Sequence, residues 1–138
     1  MDFFTALQVS GSGLSAERAR VNLASSNLAN AEVTRTAEGG PYRRLDPVLE
    51  SVPFDNYLSG QGPSAVRVSQ VVADPGEGRL VYSPGHPDAN PEGFVAFPNV
   101  NPIHEIVNLM SASRGYEANS TAIETIKGMA TRALDISR

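Results

Sequence analysis

The placement of proline constrains this chain more than any other feature. All ten prolines lie between Pro41 and Pro102. Eight of the twelve glycines fall between Gly39 and Gly93. A proline inside a helix costs about 3 kcal/mol, because it removes a backbone donor and collides with the preceding turn. The two ends of the chain are therefore open to long helices, and the middle is not.

The N-terminal zone, 1–35, carries a seven-residue apolar repeat at Leu7, Leu14, Val21 and Leu28. Ala24 and Ala31 follow the last two by three residues, which predicts one seam down a helix. Gly11 and Gly13 weaken its first turns by about 1 kcal/mol each relative to alanine. Between Phe3 and Ala31 only Glu17, Arg18 and Arg20 are charged. A solvated helix carries more charge on its outer face, so this one is suited to close packing against several neighbours. Asn30 marks its predicted end. The C-terminal zone, 102–138, opens on Asn101-Pro102, a cap followed by a favoured first helical residue. A second stripe then runs Leu109, Ala112, Tyr116, Asn119, Ile123, Ile126, Ala130, Ala133, with Leu134 at its edge. Its spacing alternates three and four, the pattern of a coiled coil. A buried asparagine at such a seam fixes register, and Asn119 is placed for that role.

Between them, 36–101 reads as short strands and turns. Val66, Val68 and Gln70 alternate with Arg67, Ser69 and Val71, as in a half-buried strand. Arg79–Tyr82 and Phe94–Phe97 are predicted strands, separated by a rigid Pro/Gly loop over 83–93. Pro53, Gly60, Gly62 and Pro63 predict a mobile loop over 53–64. The predicted fold is α+β: two long terminal helices in an antiparallel coiled coil, with a small inserted β-rich module. Neither helix can be fully covered by the other, and the leftover surface implies partners.

Chemistry is sparse. The chain has no cysteine and two histidines, which leaves no thiolate chemistry and few metal ligands. His86 with Asp88, and His104 with Glu105, read better as turn and first-turn residues than as ligands. Asp74, Glu77 and Asp88 lack the spacing of a calcium loop. Asn119-Ser120-Thr121 matches a glycosylation pattern but falls inside a predicted helix. No nucleophile elbow, phosphate loop or dinucleotide fingerprint is present. The expectation is a non-enzyme without cofactor. A net charge of −4 with no basic cluster argues against nucleic acid as partner. No apolar run approaches the ~20 residues of a membrane span, so no direct membrane insertion is expected. No secretory signal is visible at Met1-Asp2-Phe3-Phe4. Tyr42-Arg43-Arg44, the one local basic spot, is either a solvated turn or a docking contact.

Several segments have a familiar form. Leu23-Ala24-Ser25-Ser26-Asn27-Leu28-Ala29-Asn30-Ala31 resembles the N-terminal signature of the bacterial flagellar rod and hook proteins. Gly40-Pro41-Tyr42-Arg43-Arg44 resembles the aromatic–basic patch of the proximal-rod members. Tyr82-Ser83-Pro84-Gly85-His86-Pro87-Asp88-Ala89 and Pro98-Asn99-Val100-Asn101 are similar to short proximal-rod proteins in particular. Asn108-Leu109-Met110-Ser111-Ala112-Ser113-Arg114-Gly115-Tyr116-Glu117-Ala118-Asn119 resembles the common C-terminal signature of these axial proteins. Gly115 departs from the alanine or serine-like residue usual at its place, and 53–64 matches nothing in the family.

The resemblance implies a structural subunit of the proximal rod of the flagellar basal body, in the periplasm. It implies export without a cleaved signal, through the flagellar type III apparatus at the rod base, followed by helical stacking. Partners are then other copies of the chain, other rod proteins and that apparatus. The terminal helices form the inner tube around the export channel, and the β module faces outward. The assembly residues expected on this basis are Leu7, Leu14, Val21, Asn27, Leu28, Asn30, Tyr42, Arg43, Arg44, Leu109, Tyr116, Asn119, Ile123, Ile126, Ala130 and Leu134. The alternatives are another short rod subunit, of the B-type, or a self-contained helical-hairpin adaptor or chaperone.

Overall fold

The computed structural model describes residues 3–53 and 63–136. Helix α1 spans Phe3–Ala29 and helix α2 spans Pro102–Ile136. Between them lie strands β1 (Leu45–Pro53), β2 (Ser64–Ala73), β3 (Arg79–Tyr82) and β4 (Phe94–Phe97). β1 pairs with β2 and β3 with β4, giving two separate antiparallel ribbons. The α+β class and the two terminal helices are as the proline map predicts.

α2 begins where the sequence signals it. Asn101 Oδ1 accepts the N–H groups of Ile103 (3.0 Å) and His104 (3.4 Å), which caps the first turn. α1 ends at Ala29, and Asn30 Nδ2 folds back to donate to Ser26 O at 2.8 Å. The helices run antiparallel in one register. Gly13 faces Asn119, Glu17 faces Gly115, and Asn27 bonds Glu105. In each of these pairs the two residue numbers add to 132.

The seam itself differs from the expected one. On α1 the buried residues are Ala16, Ala24 and Asn27, so Ala24 of the expected seam lies in the contact, and Ala31 just beyond the helix is buried too, while Leu7, Leu14, Val21 and Leu28 are only half-buried. At 3.6 residues per turn the leucine stripe stands about a third of a turn around the helix from that face. Alanine and glycine take the contact because they allow the backbones closer together. A Cβ on Gly13 would lie 2.9 Å from both Asn119 side-chain ends. One on Gly115 would lie 2.9 Å from Glu17 Oε1. Gly115 is thus the seat for Glu17 rather than a weak point in the helix. On α2 the expected stripe faces α1 more closely, with Ala112 buried and Leu109, Asn119, Ile123 and Ile126 half-buried. Tyr116 stands at its flank and is 41% exposed. Asn119 does not reach across the seam: its Nδ2 donates to Gly115 O in its own helix at 2.9 Å.

β1 is a strand that sequence reading missed, because Pro47 and Pro53 argue against one. A two-stranded ribbon makes room for them. Leu45 turns its N–H and C=O away from β2, toward Asn27. Pro47, two residues on, shares that outer edge, where a missing N–H costs no ladder bond. The register slips between Val48 and Leu49, leaving Ser69 as the extra residue on β2. The ribbon lies along α1, held near one end by Asn27 and near the other by Ser12, whose Oγ accepts Val66 N–H at 3.1 Å. The loop expected over 53–64 falls mostly outside the described residues.

In the second ribbon Val95 is fully buried, Tyr82 meets Phe94 edge-on, and Arg79 lies over the Phe97 ring. The loop between β3 and β4 is built of turns: His86 Nδ1 accepts Asp88 N–H at 3.1 Å. Asp88 in turn accepts the Thr34 hydroxyl at 2.9 Å and pairs with Arg35 at 3.6 Å, tying the loop to the chain beyond α1.

Candidate assembly surface

The interior of this chain holds very little. Its buried hydrophobic residues among those described are Ala16, Ala24, Ala31, Ala112 and Val95. A buried methyl contributes about 0.8 kcal/mol, against about 1.5–3 kcal/mol for a buried leucine or phenylalanine. The large apolar side chains are outside instead. Ile103 is 73% exposed, Val107 58% and Met110 50%, and helical spacing places all three on the face of α2 turned away from α1. Ile106 flanks them. Phe4, Leu80 and Tyr82 are also exposed. The accessible surface totals 9765 Å². A compact monomer of this mass would show about 6900 Å².

Sequence reasoning missed the Ile103–Met110 face. The run Ile106-Val107-Asn108-Leu109-Met110 carries apolar residues on both sides of the helix, and only the inward member, Leu109, was assigned. That two-sidedness was the available signal.

The second concentration of chemistry lies where α1 ends and α2 begins. Asn27 is 1% exposed and uses every hydrogen-bonding position of its amide. Its Nδ2 donates to Leu45 O (2.9 Å) and Glu105 Oε2 (3.1 Å). Its Oδ1 accepts Leu45 N–H (2.9 Å) and the Tyr42 hydroxyl (2.9 Å). Glu105, also 1% exposed, accepts Arg44 Nε at 2.6 Å. Arg44 Nη1 pairs with Asp46. Partial burial works against the charge on Arg44, and its bonds to Glu105 and Asp46 outweigh it, so its pKa is raised above the ordinary arginine value. No buried side-chain polar atom among the described residues lacks a partner.

The expected assembly residues therefore fall into groups. Asn27, Tyr42 and Arg44 meet in one cluster inside the chain, with Glu105, which sequence reading placed only as a first-turn acid. Arg43 points out and is exposed. Leu7, Leu14, Val21 and Leu28 form a half-buried strip on α1. Leu109, Asn119, Ile123, Ile126 and Ala130 line the α1 side of α2, with Tyr116 and Leu134 exposed at its margin. Asn30 caps α1. Among the described residues no group of three or more acidic, histidine or cysteine side chains could hold a metal ion. No described helix is long and apolar enough to cross a membrane.

A helical hairpin closed on alanine, with its large apolar residues on the outside, belongs to the class of subunits that complete their burial in a larger structure. Comparison with known proteins gives that class a family. Residues 7–35 match the model described as "Flagella basal body rod protein". Residues 92–136 match "Flagellar basal body rod FlgEFG protein C-terminal". The chain is 43% identical to a Bacillus subtilis protein named flagellar basal-body rod protein FlgC, with all of both chains covered. It is 38% identical to the protein of that name from Borreliella burgdorferi, covering 99% of this chain and 98% of the relative. It is 37% identical to the Salmonella typhimurium one, again over both full lengths. The chain belongs to the flagellar basal-body rod protein family.

Proposed function

We propose that this chain is a non-enzymatic structural subunit of the proximal rod, which stacks with copies of itself and with other rod proteins through its terminal helices. The inversion of its apolar residues, alanine inside and Ile103, Val107 and Met110 outside, is the observation that carries this reading. Heterologous contacts that do not close on themselves build such a filament. The small polar outer positions of α1 suit a crowded inner layer, and the two ribbons stand on the outer side of it. Delivery is through the flagellar type III export apparatus, without cleavage. An interior this light is cheap to unfold for passage through a narrow channel.

The test uses a motile strain deleted for its own rod gene of this family. Val107→Asp leaves the purified monomer's helix content unchanged and abolishes swimming. Normal swimming with this variant overturns the reading. Leu14→Glu, on the half-buried strip of α1 that neighbours complete, and Ile123→Glu, on the side of α2 that lies against α1, each abolish swimming as well.

The packing of α1 on α2 within one chain favours a second reading, a self-contained hairpin adaptor. Limited proteolysis of the dilute monomer separates the two. Cutting near the start of α1 and the finish of α2, with survival of the region where α1 ends and α2 begins, supports the rod subunit. Joint resistance of Leu7–Leu28 and Leu109–Leu134 supports the adaptor.

A further inference from the structure

Among the described elements α2 packs on α1 and on no strand. At the start of α2, Glu105 takes Arg44 Nε just before β1 begins. The same carboxylate takes Asn27, whose amide grips both backbone groups of Leu45, the first residue of β1. Arg44 is fixed at its backbone too, its carbonyl accepting Asp74 N–H at 2.7 Å where the ribbon closes. Toward the other end of the ribbon Ser12 Oγ accepts Val66 N–H, and both strands pack along α1.

We infer that the Asn27–Arg44–Glu105 cluster is a joint that fixes the direction in which the β1–β2 ribbon leaves the helical hairpin, with Arg44 and Glu105 as its positioning residues. The chemistry supports direction over cohesion. Apolar side chains of similar volume at a buried ion pair are often as stable or more so. They would not hold an angle, whereas charge-assisted hydrogen bonds are short and directional. In a shaft, the joint transmits twist between an inner helical layer and an outer β layer; that consequence rests on the rod reading above, while the joint itself does not.

The chain has no cysteine, so spin labels can be placed by Gln70→Cys on β2 and Glu124→Cys on α2, both exposed positions. In the otherwise unchanged full chain the label-to-label distance distribution is narrow. In Arg44→Met/Glu105→Leu it widens at least twofold, while the melting temperature falls less than in Glu105→Ala, which leaves Arg44 charged without its buried partner. In cells that double variant swims at less than half the parent's speed, although the protein is folded. An unchanged narrow distribution in the double variant overturns the joint. Should that variant not fold, Arg44→Lys replaces it, because an ammonium cannot span Glu105 and Asp46 as the planar guanidinium does; the same widening is expected, and its absence is equally fatal. Failure of the unmodified chain to restore swimming strikes the rod reading alone, and the distance distributions then decide the joint by themselves.

Discussion

The two ends of the helical hairpin are built on opposite principles. Where α1 finishes and α2 starts, three elements meet in a cluster with every position of the Asn27 amide taken and a partner on each Glu105 oxygen. Where α1 starts and α2 finishes, Phe3 stands opposite Met129 by the register of the seam, and α2 continues past it to Ile136, 87% exposed. Between them the buried apolar contact is alanine, with Gly13 seating Asn119, Gly115 seating Glu17, and Leu109, Ile123 and Ile126 half-buried beside them. The difference teaches where the fold is specified. Small apolar residues let two helices approach but do little to choose one alignment over another. The polar cluster at the closed end makes that choice, and the open end keeps its apolar residues exposed, where the proposed assembly would cover them.

Four changes break or sharpen this contrast. The largest effect is expected from Glu105→Ala, which leaves part-buried Arg44 with Asp46 as its remaining partner and strands one donor of Asn27. It should cost the isolated chain about 2–4 kcal/mol in chemical denaturation. A loss under 1 kcal/mol would mean the closed end is no anchor. Next is Gly13→Leu, which drives a large side chain into Asn119. Overpacking of this kind costs about 1–3 kcal/mol, and a neutral result would show that the middle of the seam yields freely. Asn101→Ala removes the cap of α2 without touching the cluster, and a fall of about 1 kcal/mol is expected. If it equals Glu105→Ala, the cap and not the carboxylate holds the closed end. Smallest is Ile136→Ser at the open end, within about 0.5 kcal/mol of the parent as a monomer. The same variant should reduce swimming, and full motility would show that the open end meets nothing.

Much of this architecture was legible in the sequence. The proline-free ends, the Asn101-Pro102 start and the Asn30 end all act through local backbone chemistry, which a sequence carries directly. The stripe on α2 was readable for the same reason. The seam on α1 was readable only in part: Ala24 and Ala31 of the expected stripe are buried, but periodicity ranks residues by size, and Gly13 and Ala16 take the contact while the leucines stand aside. β1 was hidden by two prolines that only a ribbon with an unpaired edge tolerates. Within the site, Asn27, Tyr42 and Arg44 were singled out one by one, but no local pattern joins them. Their partner, Glu105, lies 78 residues from Asn27 along the chain. A carboxylate in a first helical turn has a sufficient local explanation in the helix dipole, and that explanation concealed its tertiary role.

Two rods pinned together at one end behave as tweezers. The closed end keeps its shape, and the gap between the tips is cheaper to vary, because the side chains that line it, Ile123 and Ile126 among them, are only half-buried. In the proposed assembly, contacts with copies of the chain and with other rod proteins need not fall at one distance. A hairpin with one stiff end and one compliant end lets a single sequence occupy several such places without a change of fold.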